Sequence, residues 1–370
     1  MTDRQAAPIA FYLPTLCGGG AERVIVNLAD GMTARGLPVD LVVAAAEGAL
    51  LRQLPRSVRL VDLHSPRVLR SLGPLTAYLR RERPRVLISA MDHANLVALW
   101  ASRLARRATP VVVTVHNTVS QSTALRGRLA GGAWPVLFRT FYPWAHAVVA
   151  VSGGAADDLA RTAGLPRDRV GVVYNPVITP SMLALARERP AHPWFGPGRP
   201  PVVLGAGRLT PQKDFPTLIR AFAEVRRRRD GRLVILGEGE ERPRLEALVI
   251  DLGLSEDVAL PGFQDNAMAY LAGSALFVLS SAWEGLPTVL IEALAAGTRV
   301  VSTDCPSGPR EILQGGRLGA LVPIGDVAAL ATAMHAALEA PPATTPPDAL
   351  APFTRDAAVD HYLRLIESAR

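Results

Sequence analysis

The chain has 370 residues, 49% of them hydrophobic and 20% charged, with a formal net charge of +7. That length exceeds a single hydrophobic core and suits two domains of about 150 to 200 residues each. The composition is that of a globular protein, not of a disordered or membrane-spanning one, and no apolar run approaches the ~20 residues needed to cross a bilayer. Residues Met1–Pro8 carry Asp3 and Arg4 and are not expected to act as a secretory leader.

Short β-branched runs alternate with longer Ala/Leu-rich amphipathic stretches, the pattern of parallel sheets wrapped by helices. Strands are predicted at Ile9–Leu13, Val39–Ala44, Val58–Leu63, Val86–Ala90, Val111–His116, Ala147–Val151 and Val170–Tyr174, with helices such as Gly20–Arg35 and Ala94–Arg106 between them. Prolines and glycines then crowd the stretch from Pro176 to Pro200, where regular structure is not expected. A second series follows at Val202–Gly207, Leu233–Gly237, Val258–Leu260, Leu276–Ser280 and Arg299–Thr303. A Pro/Ala/Thr-rich stretch, Ala340–Pro352, precedes a last amphipathic helix over Thr354–Ser368. The fold class is therefore α/β, with two Rossmann-like domains. The boundaries are 1–178 for the first domain, 179–200 for a linker, 201–352 for the second domain and 353–370 for the terminal helix.

Charge is divided unevenly: residues 1–180 hold 21 arginines against 11 acidic residues, and residues 181–370 hold 19 basic against 22 acidic. The basic half is expected to face an anionic surface or ligand. No helix-turn-helix, zinc-finger or RNA-sheet pattern supports nucleic acid as that partner, and an anionic membrane surface fits better. Arg126, Arg128 and Arg139 are interleaved with Trp134, Phe138, Phe141, Tyr142 and Trp144 over Leu125–Trp144. Such a segment suits a helix lying in a lipid interface, or one packing its aromatics into the core. Cys17 and Cys305 match no metal-ligand spacing and read as small buried thiols of a cytoplasmic protein.

Among 40 basic residues a single one is a lysine, Lys213, six residues after Gly207. A chain that otherwise uses arginine and keeps one lysine points to a site wanting a compact ammonium, as buried phosphates do. The densest segment runs from Ser280 to Gly297. It leaves a predicted strand, turns at Gly285, starts a helix near Pro287 and stops at Gly297. The N–H groups of Leu286, Thr288, Val289 and Leu290 would face a phosphate or diphosphate there. Glu284 and Glu292 flank that point, roughly 8–12 Å apart along the helix.

These motifs resemble retaining glycosyltransferases of family 4. The resemblance runs nearly end to end, through Gly18-Gly19-Gly20-Ala21-Glu22-Arg23, Thr114-Val115-His116-Asn117, Val149-Ala150-Val151-Ser152 and Val173-Tyr174-Asn175-Pro176. It continues with Gly207-Arg208 and Lys213-Asp214, Leu236-Gly237-Glu238-Gly239, Leu260-Pro261-Gly262-Phe263, the Glu284 to Glu292 block and Cys305 to Ile312.

The resemblance implies a GT-B fold of two facing Rossmann-like domains, acceptor in the first and nucleotide-sugar in the second, with the C-terminal helix crossing back to the first domain. It implies that Arg208 and Lys213 hold the donor diphosphate, aided by backbone at Gly285, Leu286, Pro287, Thr288 and Val289. Glu292 would bind ribose, Glu284 the transferred sugar, Gly262 and Phe263 the base. Gly19 and Gly20 would admit phosphate close to the backbone, and His116 would lie near the sugar. Retention would come from same-face attack assisted by the leaving phosphate, since no carboxylate pair at the ~5 Å of a double displacement is evident.

The implied donor is a UDP-sugar carrying a hexose or N-acetylhexosamine. The implied acceptor is a polyprenyl-diphosphate-linked or other glycan at the cytoplasmic membrane face. No metal and no further cofactor is expected, because cations and N–H dipoles can take the leaving-group charge and Asp157-Asp158 is not an Asp-x-Asp. A GDP-sugar donor, a UDP-sugar 2-epimerase, and an inactive scaffold of the same fold stay open as alternatives. Glu22 reads either as a ligand-site acid or as a first-turn helix acid.

Overall fold

Among the described residues thirteen strands, β1–β13, form two all-parallel sheets. They span Ile9–Leu13, Val39–Val43, Arg59–Asp62, Val86–Ala90, Val111–Val115, Ala147–Ala150 and Val170–Val172 in the first sheet, then Val202–Ala206, Arg232–Leu236, Val258–Gly262, Leu276–Leu279, Val300–Thr303 and Ala320–Val322 in the second. The chain is seen in a computed structural model that describes residues 7–106, 109–121, 128–341 and 344–368. Strands such as β1, β2, β4 and β5 are buried at every position, as parallel strands covered by helices on both faces must be.

The chain divides into two units, Met1–Val177 with Phe353–Arg370, and Ile178–Pro352. In the first, the strand order is β3-β2-β1-β4-β5-β6-β7, so the topology reverses between β1 and β4. Its core packs Phe11, Leu13, Ile25 and Met32 against Val359, Tyr362 and Ile366 of the terminal helix Arg355–Glu367. That helix starts at Thr354, whose Oγ1 accepts from the Ala357 N–H, and Arg355 pairs with Asp30 on the helix Gly20–Ala34. The C-terminal segment thus belongs to the amino-terminal unit.

In the second unit the order is β10-β9-β8-β11-β12-β13, reversing between β8 and β11. Its core holds Val203, Phe222, Ile235, Val278, Val301 and Met334. Strand β13 is not anticipated from sequence, because its three residues follow Gly319 and are too short to show periodicity.

The stretch expected as an unstructured linker is different. Pro180–Leu185 is a helix capped by Thr179, and Asn266 Nδ2 donates to the carbonyl of Leu185 and to Glu188. Phe195 packs its ring on Tyr270, and Arg232 lies over Trp194. The prolines set turns, but the apolar and aromatic residues between them find partners on the second unit.

Candidate active site

In open α/β sheets, ligands bind beyond the carboxyl ends of strands where the topology reverses. In the second unit those ends belong to β8 and β11, and the loops leaving them carry Arg208–Lys213 and Ser280–Pro287. The loops are stitched together: Ser280 Oγ donates to the Lys213 carbonyl at 2.7 Å, Gln212 Nε2 to the Trp283 carbonyl at 2.9 Å, and the Ala282 N–H to the Gln212 carbonyl at 2.8 Å. Lys213 and Glu284 meet as a result, with Nζ 2.5 Å from Oε1.

Glu284 is only 6% exposed, so its charge needs compensation. Lys213 and the Ser281 hydroxyl, which donates at 2.6 Å, both supply it at Oε1. Oε2 makes no hydrogen bond among the described residues. Burial first, and then the nearby Glu284 charge, push the Cys305 thiol up to about 12, so that side chain stays neutral.

Immediately after Glu284 the chain turns into the helix Thr288–Ala295, with Pro287 at its N-cap. The N–H groups of Leu286, Thr288 and Val289 make no intramolecular hydrogen bond among the described residues, whereas Leu290, expected to be free, donates to the Pro287 carbonyl. Ser307 Oγ donates to the Gly285 carbonyl at 2.8 Å, and Gly308 at φ +93° presses on the turn, where a Cβ would lie 2.5 Å from Pro287 Cδ. Gly285, Leu286 and Pro287 are thus buried between two loops. Glu292 lies half-buried in the second turn of the helix, which ends through Gly297 at φ +77°.

Arg208 is exposed and pairs with no acid among the described residues. The loop bearing it is held by Gly237 at φ +130°, where a Cβ would fall 2.0 Å from the Gly207 carbonyl oxygen. Gly262, at φ +84°, accepts from the Gly237 N–H, and Phe263 beside it is 68% exposed, a ring left facing solvent.

The first unit carries Gly19, Gly20 and His116. The glycine turn after β1 meets its own acid: Glu22, 4% exposed, accepts from the Gly18 N–H at 2.9 Å, from the Gly19 N–H and from Thr15 Oγ1 at 3.3 Å. The Gly18 and Gly19 amides are therefore satisfied internally, Gly20 opens the helix Gly20–Ala34, and Glu22 is a cap of that helix. Cys17, expected to be buried, is exposed in this turn.

His116 ends β5. Thr114 Oγ1 gives its hydrogen to the Ser89 carbonyl, so the 2.9 Å contact to His116 Nε2 requires Nε2 to donate. That fixes the tautomer and leaves Nδ1, buried and without a partner among the described residues, as a bare acceptor. Burial lowers the His116 pKa to about 4, so the ring is neutral at pH 7. Asp157 pairs with Arg167 and Asp158 accepts from the Ser120 N–H. No group of three His, Cys, Asp or Glu among the described residues is placed to hold a metal ion.

The aromatic segment divides between core and surface. Leu125 and Arg126 lie outside the described residues. Phe138 and Tyr142 are buried, while Phe141 and Trp144 meet Trp100 in tilted and edge-to-face contacts, with Arg103 over the Trp144 ring. No helix among the described residues is long and apolar enough to cross a membrane.

Comparison with known proteins gives this geometry its family. Residues 18–179 match the family Glycosyltransferase Family 4, and residues 200–340 match Glycosyl transferases group 1. The lipopolysaccharide core biosynthesis glycosyltransferase LpsE of Rhizobium meliloti (strain 1021) is 31% identical over 360 residues, covering 95% of this chain and 96% of its own. The chain belongs to glycosyltransferase family 4. A second relative of this glycosyltransferase is the N-acetylgalactosamine-N,N'-diacetylbacillosaminyl-diphospho-undecaprenol 4-alpha-N-acetylgalactosaminyltransferase of Campylobacter jejuni, 28% identical over 336 residues, 85% of this chain and 86% of that one. Among solved structures, the apo lipopolysaccharide outer core galactosyltransferase WaaB aligns with a TM-score of 0.74 at 20% identity over 98% of this chain and all of its own. Anabaena HepE in complex with UDP aligns at 0.73 and 21%, with the same coverage. Those likenesses establish the GT-B fold.

Sequence reasoning found the glutamates, Lys213 and the helix start. It missed Ser281, which anchors Glu284, and gave no role to Gln212, Ser307 or Gly308. The Ser280-Ser281 pair directly after a strand was the available signal, since small hydroxyls in a tight turn cap nearby polar groups.

Proposed function

We propose that this glycosyltransferase moves a hexose or N-acetylhexosamine from a UDP-sugar, with retention and without a metal, to a lipid-linked glycan. The work would be done as a peripheral protein at the cytoplasmic membrane face. The observation that carries the reading is the Lys213–Glu284 pair beside the Leu286, Thr288 and Val289 N–H groups, which have no partner among the described residues, at the reversal point of the second sheet. An ammonium and three N–H dipoles suit a diphosphate leaving group, whose charge grows as the sugar bond breaks. With that charge met, a divalent cation has no further task, and the bond to the acceptor forms on the face the phosphate leaves while phosphate takes the acceptor proton. Glu292, in the second turn of the helix, would take ribose hydroxyls in this reading, and the exposed Phe263 ring would lie against the base.

The relatives support the acceptor and donor classes: LpsE is named for lipopolysaccharide core biosynthesis, the Campylobacter enzyme for a diphospho-undecaprenol substrate, and HepE was solved with UDP. Trp100 and Leu104, 40% and 45% exposed on one helix beside Arg103, support a membrane-facing surface.

Calorimetric titration of UDP, GDP and ADP in EDTA, on the wild type, Glu292→Ala and Lys213→Ala, tests the reading. Selective UDP binding weakened by both substitutions is expected. A preference for GDP moves the donor to a GDP-sugar, and no binding to the folded protein overturns the assignment.

A further inference from the structure

Lys213 serves two anions in this reading, and the structure shows how tightly it is already committed to one. Glu284 cannot easily step aside. Its Oε1 is held by Lys213 at 2.5 Å and by Ser281 at 2.6 Å, and Ser281 is fixed in turn by Thr303, whose Oγ1 donates to the Ser281 carbonyl at 2.6 Å. A phosphate oxygen in contact with the same ammonium, at the ~2.8 Å of a charge-assisted bond, comes within about 5 Å of the carboxylate. At that separation, in a partly dehydrated site, like charges repel strongly.

The two ligands of the reaction differ in how they meet that repulsion. A free nucleoside diphosphate ends in a phosphate monoester, with close to two negative charges at neutral pH because its second ionisation falls near pH 6. In the nucleotide-sugar the same phosphate is a diester with one charge, and it carries sugar hydroxyls that can donate to Glu284 Oε2, which has no partner among the described residues.

We infer that Glu284 discriminates by charge between the donor and the spent nucleotide, stabilising the sugar-bearing diphosphate and expelling the free one after transfer. This rests on the donor-site reading above and deepens it. Glu284 holds Lys213 between turnovers, shares it with an incoming diester, and repels the doubly charged phosphate from it when the sugar has gone. Product release is then built into the same carboxylate that grips the sugar.

The test is calorimetry on the wild type and Glu284→Gln, which keeps the shape and the hydrogen-bond acceptor and removes the charge. The probes are the nucleoside diphosphate that the wild type binds best among UDP, GDP and ADP, and its monophosphate. Glu284→Gln is expected to bind the diphosphate at least about fivefold more tightly and the monophosphate unchanged, since only the terminal phosphate reaches Lys213, while transfer by the variant falls. A general loosening or tightening of the fold would move both ligands together. Equal or weaker diphosphate binding in the variant overturns the inference and leaves the donor site standing. A wild type that binds none of the three nucleotides overturns the donor-site reading and the inference with it. Glu284→Ala, for which the same direction is expected, serves if the Gln variant fails to fold.

Discussion

The two units repeat one architecture and use its reversal point in opposite ways. In each, a loop after a central strand brings glycines and helix N–H groups to the carboxyl edge of a parallel sheet. In the first unit the chain supplies its own anion, because Glu22 sits three residues after Gly19 and fills the Gly18 and Gly19 amides. In the second, the acid Glu284 comes before the helix and turns to Lys213, leaving the Leu286, Thr288 and Val289 N–H groups without a partner among the described residues. A helix start is a stability device when its acid lies inside the first turn. It is left open to a ligand, as proposed for the second unit, when the acid is drawn off by a cation.

The largest effect should come from breaking the second arrangement. Lys213→Met removes a charge directed at the proposed leaving phosphate and is expected to lower kcat about 10²–10³-fold in steady-state sugar transfer by the folded protein, and also to lower the unfolding midpoint, because it leaves the buried Glu284 carboxylate without its cation. A kcat within a few-fold of wild type would show that the ammonium does not act in the transition state. Glu22→Ala probes the first unit and should act on stability alone. Stripping the carboxylate from the Gly18 and Gly19 amides is expected to cost about 2 kcal/mol of stability by urea denaturation, with nucleotide affinity unchanged. An equal loss of UDP binding would mean that the first glycine turn is also a ligand site.

The smallest effect is a pH slope. Burial lowers His116 to about 4 from 6.5, so between those values the unfolded chain takes a proton that the folded protein does not. The stability tied to a neutral His116 is therefore complete above about pH 6.5 and is lost as pH falls toward about 4. Urea midpoints of wild type and His116→Gln should converge on going from about pH 7 to about pH 5. A difference independent of pH would assign the histidine a packing role alone.

Much of this was legible in the chain. Period and composition mark twelve of the thirteen strands, because buried parallel strands are nearly continuous β-branched runs. The exception, Ala320–Val322, is ordered by its pairing with β12, a partner 17 or more residues away. The helix start at Pro287 and its stop at Gly297 are written in residue types with strong backbone preferences, and both fall where expected. The acid caps were not legible in the same way. Glu22 follows a glycine turn and Glu284 precedes one, and nothing local tells which acid is satisfied by its own turn.

The sequence by itself determined the α/β class and a two-unit division near residue 178, and it singled out the residue types of the proposed diphosphate site, because periodicity, turn chemistry and a lone lysine act within a few residues of chain. Tertiary structure decided which groups meet. It joined Lys213 to Glu284 across 71 positions, closed the Gly285 turn with Ser307, packed the proline-rich stretch onto the second unit and fixed the His116 tautomer through Ser89. Each of those contacts is set by strand order at a sheet edge, and strand order comes from burying helices on both faces of the sheet, which no local stretch of residues encodes.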